Sequence, residues 1–188
     1  MSLLRWLPTF LAFPLGGFLS LLLFGSSASP LVALGGGIIV GASIGGAQWL
    51  ALGRVAGGRW FAATTIAVAA GSTAASLLIG PPTSLTSAAL TGLAVGAFVG
   101  TAQALVLPAP PRARVVWALT VTASWTLGWI MTSFVIVDLD RGHFVFGSSG
   151  AIIATVITGV VLRVILGRAR HEEAAAEDVE PVAQMTEA

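Results

Sequence analysis

The sequence predicts an all-α membrane protein that crosses the bilayer six times, and two observations indicate this. Hydrophobic residues make up 56% of the 188 residues and charged residues only 9%, whereas a soluble domain carries about 25% charged residues. The mean hydropathy is +0.94, and six apolar stretches approach or exceed the roughly 20 residues that a helix needs to cross the hydrocarbon core. Because lipid offers no partner for free backbone amides, each stretch must be helical.

The six predicted spans are separated by short segments that contain Gly, Pro or charged residues. They cover residues 6–24, 31–52, 60–79, 85–107, 115–137 and 146–166. The first span also imitates a signal peptide, since Arg5 precedes the apolar run and small residues follow it at 26–29. Its apolar run is longer than the usual stretch of about 7–15 residues in a signal peptide. We therefore interpret it as a membrane span.

The arginines predict which way the spans run. If the spans alternate in direction, most of the arginines fall on one side: Arg5, Arg54, Arg59, Arg112, Arg114, Arg168 and Arg170. By the positive-inside rule this side is cytoplasmic, and both termini lie there. Residues 168–188 then form a cytoplasmic tail rich in Asp and Glu, which we expect to be disordered, with at most a short helix over EEAAAED.

The even-numbered spans share one spacing of small residues. Span two has Gly37, Gly41, Gly45, Gln48 and Leu52, span four has Gly92, Gly96, Gly100, Gln103 and Leu107, and span six has Ala151, Thr155, Gly159, Leu162 and Leu166. At roughly 100° per residue, each set falls on one face of its helix. Small residues on one face let two helix backbones approach closely, which drives helix association in lipid.

The odd-numbered spans carry a weaker mark, a Trp and a Gly eleven residues apart. The pairs are Trp6 and Gly17, Trp60 and Gly71, and Trp117 and Gly128. Together the two patterns predict a transmembrane domain, residues 1–167, built from three helical hairpins at about 1–55, 56–110 and 111–167. All three hairpins enter from the cytoplasm, so they are parallel repeats. A pseudo-threefold arrangement about the membrane normal is the packing that we expect.

Two kinds of polar side chain within the spans admit a structural and a functional interpretation. Gln48 and Gln103 either make interhelical hydrogen bonds, to a neighbouring backbone carbonyl or to each other, or line a cytoplasm-facing polar pocket for a ligand or lipid head group. The interhelical bonds are favoured. Arg163 either extends its guanidinium to lipid phosphates or meets the glutamines to bind an anion, and again the former is favoured. Leu162 occupies the third glutamine position, so a site made by the glutamines would be asymmetric.

The register GxxxGxxQWLxL at residues 41–52 resembles a repeat of small, largely uncharacterised bacterial multi-pass membrane proteins. Gly41, Gly45, Gln48 and Trp49 match it here, while Ala104 replaces the Trp at 96–107 and residues 155–166 lack the Gln as well. The resemblance covers most of residues 1–167 and implies a location in the bacterial cytoplasmic membrane. It brings no established activity.

The sequence gives little support for chemistry. It has no Cys, no span contains Asp or Glu, and no catalytic motif is present, so we predict no enzyme, metal or cofactor. A nucleic-acid partner is not expected, because the net charge is only +1 and the arginines are scattered. Asp138, Asp140, Arg141 and His143 form an outer loop that is interpreted as solvated, although its carboxylates and imidazole could bind a divalent cation.

We therefore expect a non-catalytic accessory or scaffold subunit whose glycine faces bind partner helices or lipid. Its partners would be the lipid bilayer and other membrane subunits, or further copies of the chain. The alternative is the small-molecule-binding subunit of a transporter. In size and topology the chain resembles the substrate-capturing component of energy-coupling-factor importers. The candidate residues for a helix interface or polar pocket are Gly41, Gly45, Gln48, Gly96, Gly100, Gln103, Gly159 and Arg163.

Overall fold

A computed structural model of the protein describes residues 2–25, 29–135 and 148–186, with side chains described up to residue 168 except those of Arg54 and Val135. This part of the chain is all-helical. It comprises α1 at Leu3–Phe24, α2 at Pro30–Leu52, α3 at Gly57–Leu78, α4 at Leu85–Val106, α5 at Pro111–Val135 and α6 at Ser148–Thr186. Each of the six is long and apolar enough to cross a membrane, which confirms the predicted fold class and places the spans within a few residues of their predicted bounds.

The helices begin and end where the separators supply the right side chains. At the start of α2 the Ser29 hydroxyl accepts a hydrogen bond of 3.3 Å from the Val32 amide, and Pro30 occupies the first helical position, where no amide is needed. At the start of α4 the side chains of Ser84 and Ser87 each accept from the other's backbone amide, at 3.1 and 2.9 Å. Such caps satisfy the amides that the first turn leaves free.

Helix α1 changes its winding partway along. Residues Leu3–Trp6 and Ala12–Phe24 are α-helical, but Leu7–Leu11 between them form a 3₁₀ helix. Two prolines explain the change: Pro8 has no amide to donate, and Pro14 leaves the Phe10 carbonyl without its usual partner four residues on. A 3₁₀ segment turns by roughly 120° per residue instead of 100°. The outer half of α1 is therefore rotated relative to a continuous α-helix.

The six helices form a ring in chain order. Each packs against the next, and α6 returns to the first turns of α1. Side chains from helices that are not neighbours meet inside the ring: the rings of Trp60 and Trp117 lie 5.8 Å apart, and those of Phe13 and Trp125 lie 5.5 Å apart. Large apolar side chains cover the outside, as at Leu78, which is 84% exposed. The surface that meets lipid is thus apolar, and the interior of the ring is filled where these two aromatic pairs meet.

The backbone of the acidic tail continues α6 as a helix to Thr186, where the sequence predicts a disordered extension with a short helix. Two physical factors favour the longer helix. Residues 172–180 are rich in Glu and Ala, which are good helix formers. The segment also extends an existing helix, so it avoids the unfavourable nucleation step that an isolated peptide would face.

Candidate functional site: a buried amide and indole layer

The glycine face of α2 lies directly against the backbone of α3. A Cβ atom built on Gly37 would be 2.7 Å from the Ala69 Cα, and one on Gly41 would be 2.8 Å from the Thr65 Cα. On Gly45 it would be 3.0 Å from the Phe61 carbonyl oxygen. Each step of four residues forward along α2 thus moves the contact four residues backward along α3, as expected for two antiparallel helices in contact. Any side chain larger than hydrogen would force these backbones apart.

Helices α4 and α5 pack in the same way. The backbone atoms that a built Cβ would approach include the Thr126 Cα at 2.9 Å for Gly92, the Thr122 Cα at 3.0 Å for Gly96 and the Ala118 carbonyl oxygen at 2.5 Å for Gly100. In both helix pairs, the last glycine of the stripe contacts the residue that directly follows a tryptophan, Trp60 in α3 or Trp117 in α5. Gly45 and Phe61 therefore stand in the same relation as Gly100 and Ala118.

Helices α6 and α1 meet through a side chain. A Cβ atom on Gly159 would lie 2.5 Å from the Trp6 Cδ1, and the Trp6 Nε1 donates a 3.0 Å hydrogen bond to the Thr155 carbonyl oxygen. The indole of Trp6 therefore covers the small-residue face of α6. The corresponding faces of α2 and α4 are covered by the backbones of α3 and α5 instead. The prediction that the three hairpins are related repeats stays a prediction, because only two of the three interfaces share backbone contacts.

Gln48 and Gln103 bond to each other across the ring. The Gln103 Nε2 donates to the Gln48 Oε1 at 3.0 Å and to the Thr64 Oγ1 at 2.9 Å. The Trp60 Nε1 also donates to the Gln48 Oε1, at 3.0 Å. Gln103 is only 1% exposed and Thr64 is fully buried. This network joins α2, α3 and α4, so it holds three helices in register.

The network belongs to a layer that we call the amide–indole layer. Its members are Trp6, Gln48, Trp60, Thr64, Gln103, Trp117 and Leu162, all of them buried. Two further sets of buried residues at related positions flank it along the axis: Leu52, Leu107 and Leu166 on one side, and Ile44, Val99 and Thr158 on the other. The layer is therefore enclosed along the axis by side chains that are apolar except for Thr158, and Gln48, Trp60, Thr64 and Gln103 bond within it.

The amide–indole layer lies near the end of the ring that carries the arginines. Because Gly45 packs on Phe61 and the helices are antiparallel, Gln48 is level with the first turn of α3. Two of the arginines at this end satisfy helix ends: the Arg5 Nη2 donates to the Leu50 carbonyl oxygen at 3.3 Å, and the Arg114 Nε donates to the Leu107 carbonyl oxygen at 3.1 Å. Leu50 lies in the last turn of α2 and Leu107 directly follows α4, so both acceptors are carbonyls at helix ends, where intrahelical partners are missing.

The structure separates Arg163 from the glutamines. Arg163 is exposed on the outside of α6, whereas Gln48 and Gln103 are buried inside the ring. The alternative in which Arg163 meets the glutamines to bind an anion is therefore wrong. The reason is angular, because Arg163 lies about 100° round the helix from Leu162, and it is Leu162 that points inward.

The other candidate residues fall into two groups. The glycines Gly41, Gly45, Gly96 and Gly100 form helix interfaces, and Gly159 receives Trp6. Sequence reasoning missed Thr64 as an acceptor and Trp60 as a donor, and it used Trp60 and Trp117 only as marks of the repeat. A signal for Thr64 did exist: it lies one helical turn from Trp60, on the same face.

The amide–indole layer offers hydrogen bonds without a titratable group. Its polar atoms are amides, indole N–H groups and one hydroxyl, so it can hold neutral polar groups but cannot serve as an acid or base. Among the described residues, no group of three or more His, Cys, Asp or Glu side chains could hold a metal ion. Asp138, Asp140, Arg141 and His143 lie outside the described residues.

No known protein family, curated protein or solved structure matches this chain.

Proposed function

We propose that this chain is a non-catalytic integral membrane protein that acts as an accessory or scaffold subunit. The observation that supports this best is the division of its surfaces. Both glutamines of the amide–indole layer bond inside the ring, and the outside of the spans is a belt of exposed Leu, Val, Ile and Phe. Such a bundle is complete in itself and presents lipid or partner helices with an apolar wall.

The way in which a partner would bind differs from the sequence-based expectation. The glycine faces of α2 and α4 are covered by α3 and α5 of the same chain, so they are not free to bind partner helices. A partner would have to use the outer apolar belt or the helical tail that projects from α6. The glycines then support the function indirectly, since they build the wall that a partner meets.

We place the chain in the bacterial cytoplasmic membrane with both termini in the cytoplasm. The arginines at one end of the ring support this orientation. Because the chain has no Cys, single cysteines can report topology. We expect a membrane-impermeant maleimide to label Thr83→Cys in intact cells, and Ser2→Cys and Ala109→Cys only after permeabilisation. The reverse labelling pattern would refute the orientation.

The runner-up function, a small-molecule-binding subunit of a transporter, is favoured by polar atoms inside the ring. The hydroxyl oxygens of Thr91 and Thr155 are buried and have no hydrogen-bond partner within the described part of the chain. They lie farther from the arginine-rich end than the amide–indole layer does. An outward-facing cavity lined by such groups would suit a small polar substrate.

Native mass spectrometry of gently extracted protein distinguishes the two functions. A second polypeptide retained at fixed stoichiometry supports the accessory or scaffold subunit. A small metabolite retained without a second polypeptide supports the transporter subunit instead, and contradicts the first proposal. A matched sample with Leu78→Ala, which alters only the exposed belt, should weaken partner retention but leave a metabolite in place.

A further inference from the structure

The hydrogen bonds of the amide–indole layer fix which way the two amides face. An indole N–H can only donate, so the Gln48 atom that receives the Trp60 Nε1 must be its oxygen. The Gln103 atom that meets this same oxygen must then be its nitrogen. Both known contacts of Gln103 therefore use its Nε2. Its Oε1 is left as an acceptor with no partner among the described residues.

Trp117 supplies a matching donor. Its side chain is 1% exposed, and its Nε1 has no hydrogen-bond partner in the described part of the chain. The indole lies within the layer, because its ring is 5.8 Å from that of Trp60, whose Nε1 bonds to Gln48. A buried indole donor thus remains unpaired in the layer that also holds the Gln103 Oε1, and a buried donor is unfavourable unless it finds an acceptor.

The α2–α3 interface shows what the equivalent pair does elsewhere. Gly45 packs on Phe61 as Gly100 packs on Ala118, so Trp117 stands to Gln103 as Trp60 stands to Gln48. Trp60 donates directly to Gln48. Gln103 instead points its amide nitrogen towards Thr64 and Gln48. Trp117 and Gln103 thus occupy positions equivalent to those of Trp60 and Gln48, but they make no direct hydrogen bond.

We propose that a hydroxyl group, from a water molecule or a small alcohol, binds in the amide–indole layer between Trp117 and Gln103. A hydroxyl is the simplest group that both accepts from the Trp117 Nε1 and donates to the Gln103 Oε1. The ligand is neutral, because the layer holds no charged side chain and a buried ion would require one. It is small, because buried leucines and Ile44 and Val99 enclose the layer along the axis.

The test uses the full chain in lipid nanodiscs with ¹⁵N-labelled indoles. The Trp117 resonance is assigned by Trp117→Phe, which removes the N–H and keeps an aromatic ring. We expect the Trp117 N–H to show magnetisation transfer from a hydroxyl proton, at the water frequency if the ligand is water. Transfer from a separate hydroxyl signal, strengthened saturably by added glycerol, identifies an alcohol. Both results support the site.

The Trp60 N–H is the internal control, since it bonds directly to Gln48 and should show no such transfer. In Gln103→Leu the Trp117 transfer should be lost while the Trp60 resonance persists. The proposal is overturned if the Trp117 N–H bonds directly to the Gln103 side chain, or if it resonates as an unbonded indole that responds neither to water nor to glycerol. This outcome is independent of whether a partner protein binds outside the ring.

Discussion

The interface between α2 and α3 and the interface between α6 and α1 use the same spacing of small residues for different kinds of contact. At the first, glycines let two backbones touch, with the Gly41 position 2.8 Å from the Thr65 Cα. At the second, Gly159 makes room for the indole of Trp6. A stripe of small residues thus determines where a helix can be approached closely. The opposite helix determines whether backbone or side chain fills the space.

The winding of α1 explains why its contacts differ from those of α3. Gly71 of α3 packs on the Val95 Cα of α4. The repeat spacing makes Gly17 of α1 and Val40 of α2 the equivalent pair, yet it is Gly16 that packs on the Val40 Cα, at 3.0 Å. Five 3₁₀ residues, Leu7–Leu11, turn the helix about 100° further than five α residues would. That extra turn equals roughly one α-helical residue, so Gly16 takes the place that the spacing assigns to Gly17.

The largest expected effect is at the interface between α6 and α1. Trp6→Ala should lower the free energy of unfolding by about 3–5 kcal/mol, because it removes a buried aromatic side chain from the space above Gly159. Denaturant titration in mixed micelles measures this loss. Trp49→Ala is the matched control, since Trp49 is near the same end but is 41% exposed. Equal losses in the two variants would show that Trp6 does not close the ring.

Glycine substitutions at the backbone contacts should come next. Gly41→Ala should cost about 1–3 kcal/mol, since the new methyl would overlap the Thr65 backbone, which can yield only if the helices separate. Gly46→Ala on the same helix is the control, because its Cβ would be 3.9 Å from the nearest atoms, on the ring of Phe61. That variant should be neutral or stabilising. Thermal unfolding in matched detergent compares the two.

The comparison becomes sharper with glycines on two different interfaces. Gly100→Ala brings a methyl against the Ala118 carbonyl oxygen, whereas Gly159→Ala brings it against the Trp6 ring. A ring can shift more easily than a backbone, so Gly159→Ala should cost less, about 1 kcal/mol against up to about 3 for Gly100→Ala. Parallel thermal melts rank the two variants. The opposite ranking would mean that Trp6 is held as rigidly as a helix backbone.

The smallest expected effect is in the amide–indole layer. Gln48→Leu and Gln103→Leu should each lower stability by about 0.6–1.7 kcal/mol, the range of interhelical hydrogen bonds in membranes. A double-mutant cycle measures the part that belongs to their mutual bond. Leu is a suitable replacement because Leu162 already occupies the third position. Strict additivity of the two substitutions would argue against a bond between the glutamines.

Much of this architecture was determined by the sequence alone. Hydropathy placed all six spans, because a helix in lipid must be apolar over a fixed length. The spacing of Gly41 and Gly45 predicts a face of close approach, since helical periodicity decides which residues share a face. The position of Leu162 beside Arg163 also made it unfavourable for the arginine to meet the glutamines.

Only the tertiary structure decided which helices those faces would meet. The glycine faces join successive hairpins, α2 with α3 and α4 with α5, and periodicity on one helix cannot name the helix that covers it. The bond between Gln103 and Thr64 was equally beyond the sequence, because these two residues lie 39 positions apart. Their approach depends on the closure of the ring, which only the packing of all six helices can bring about.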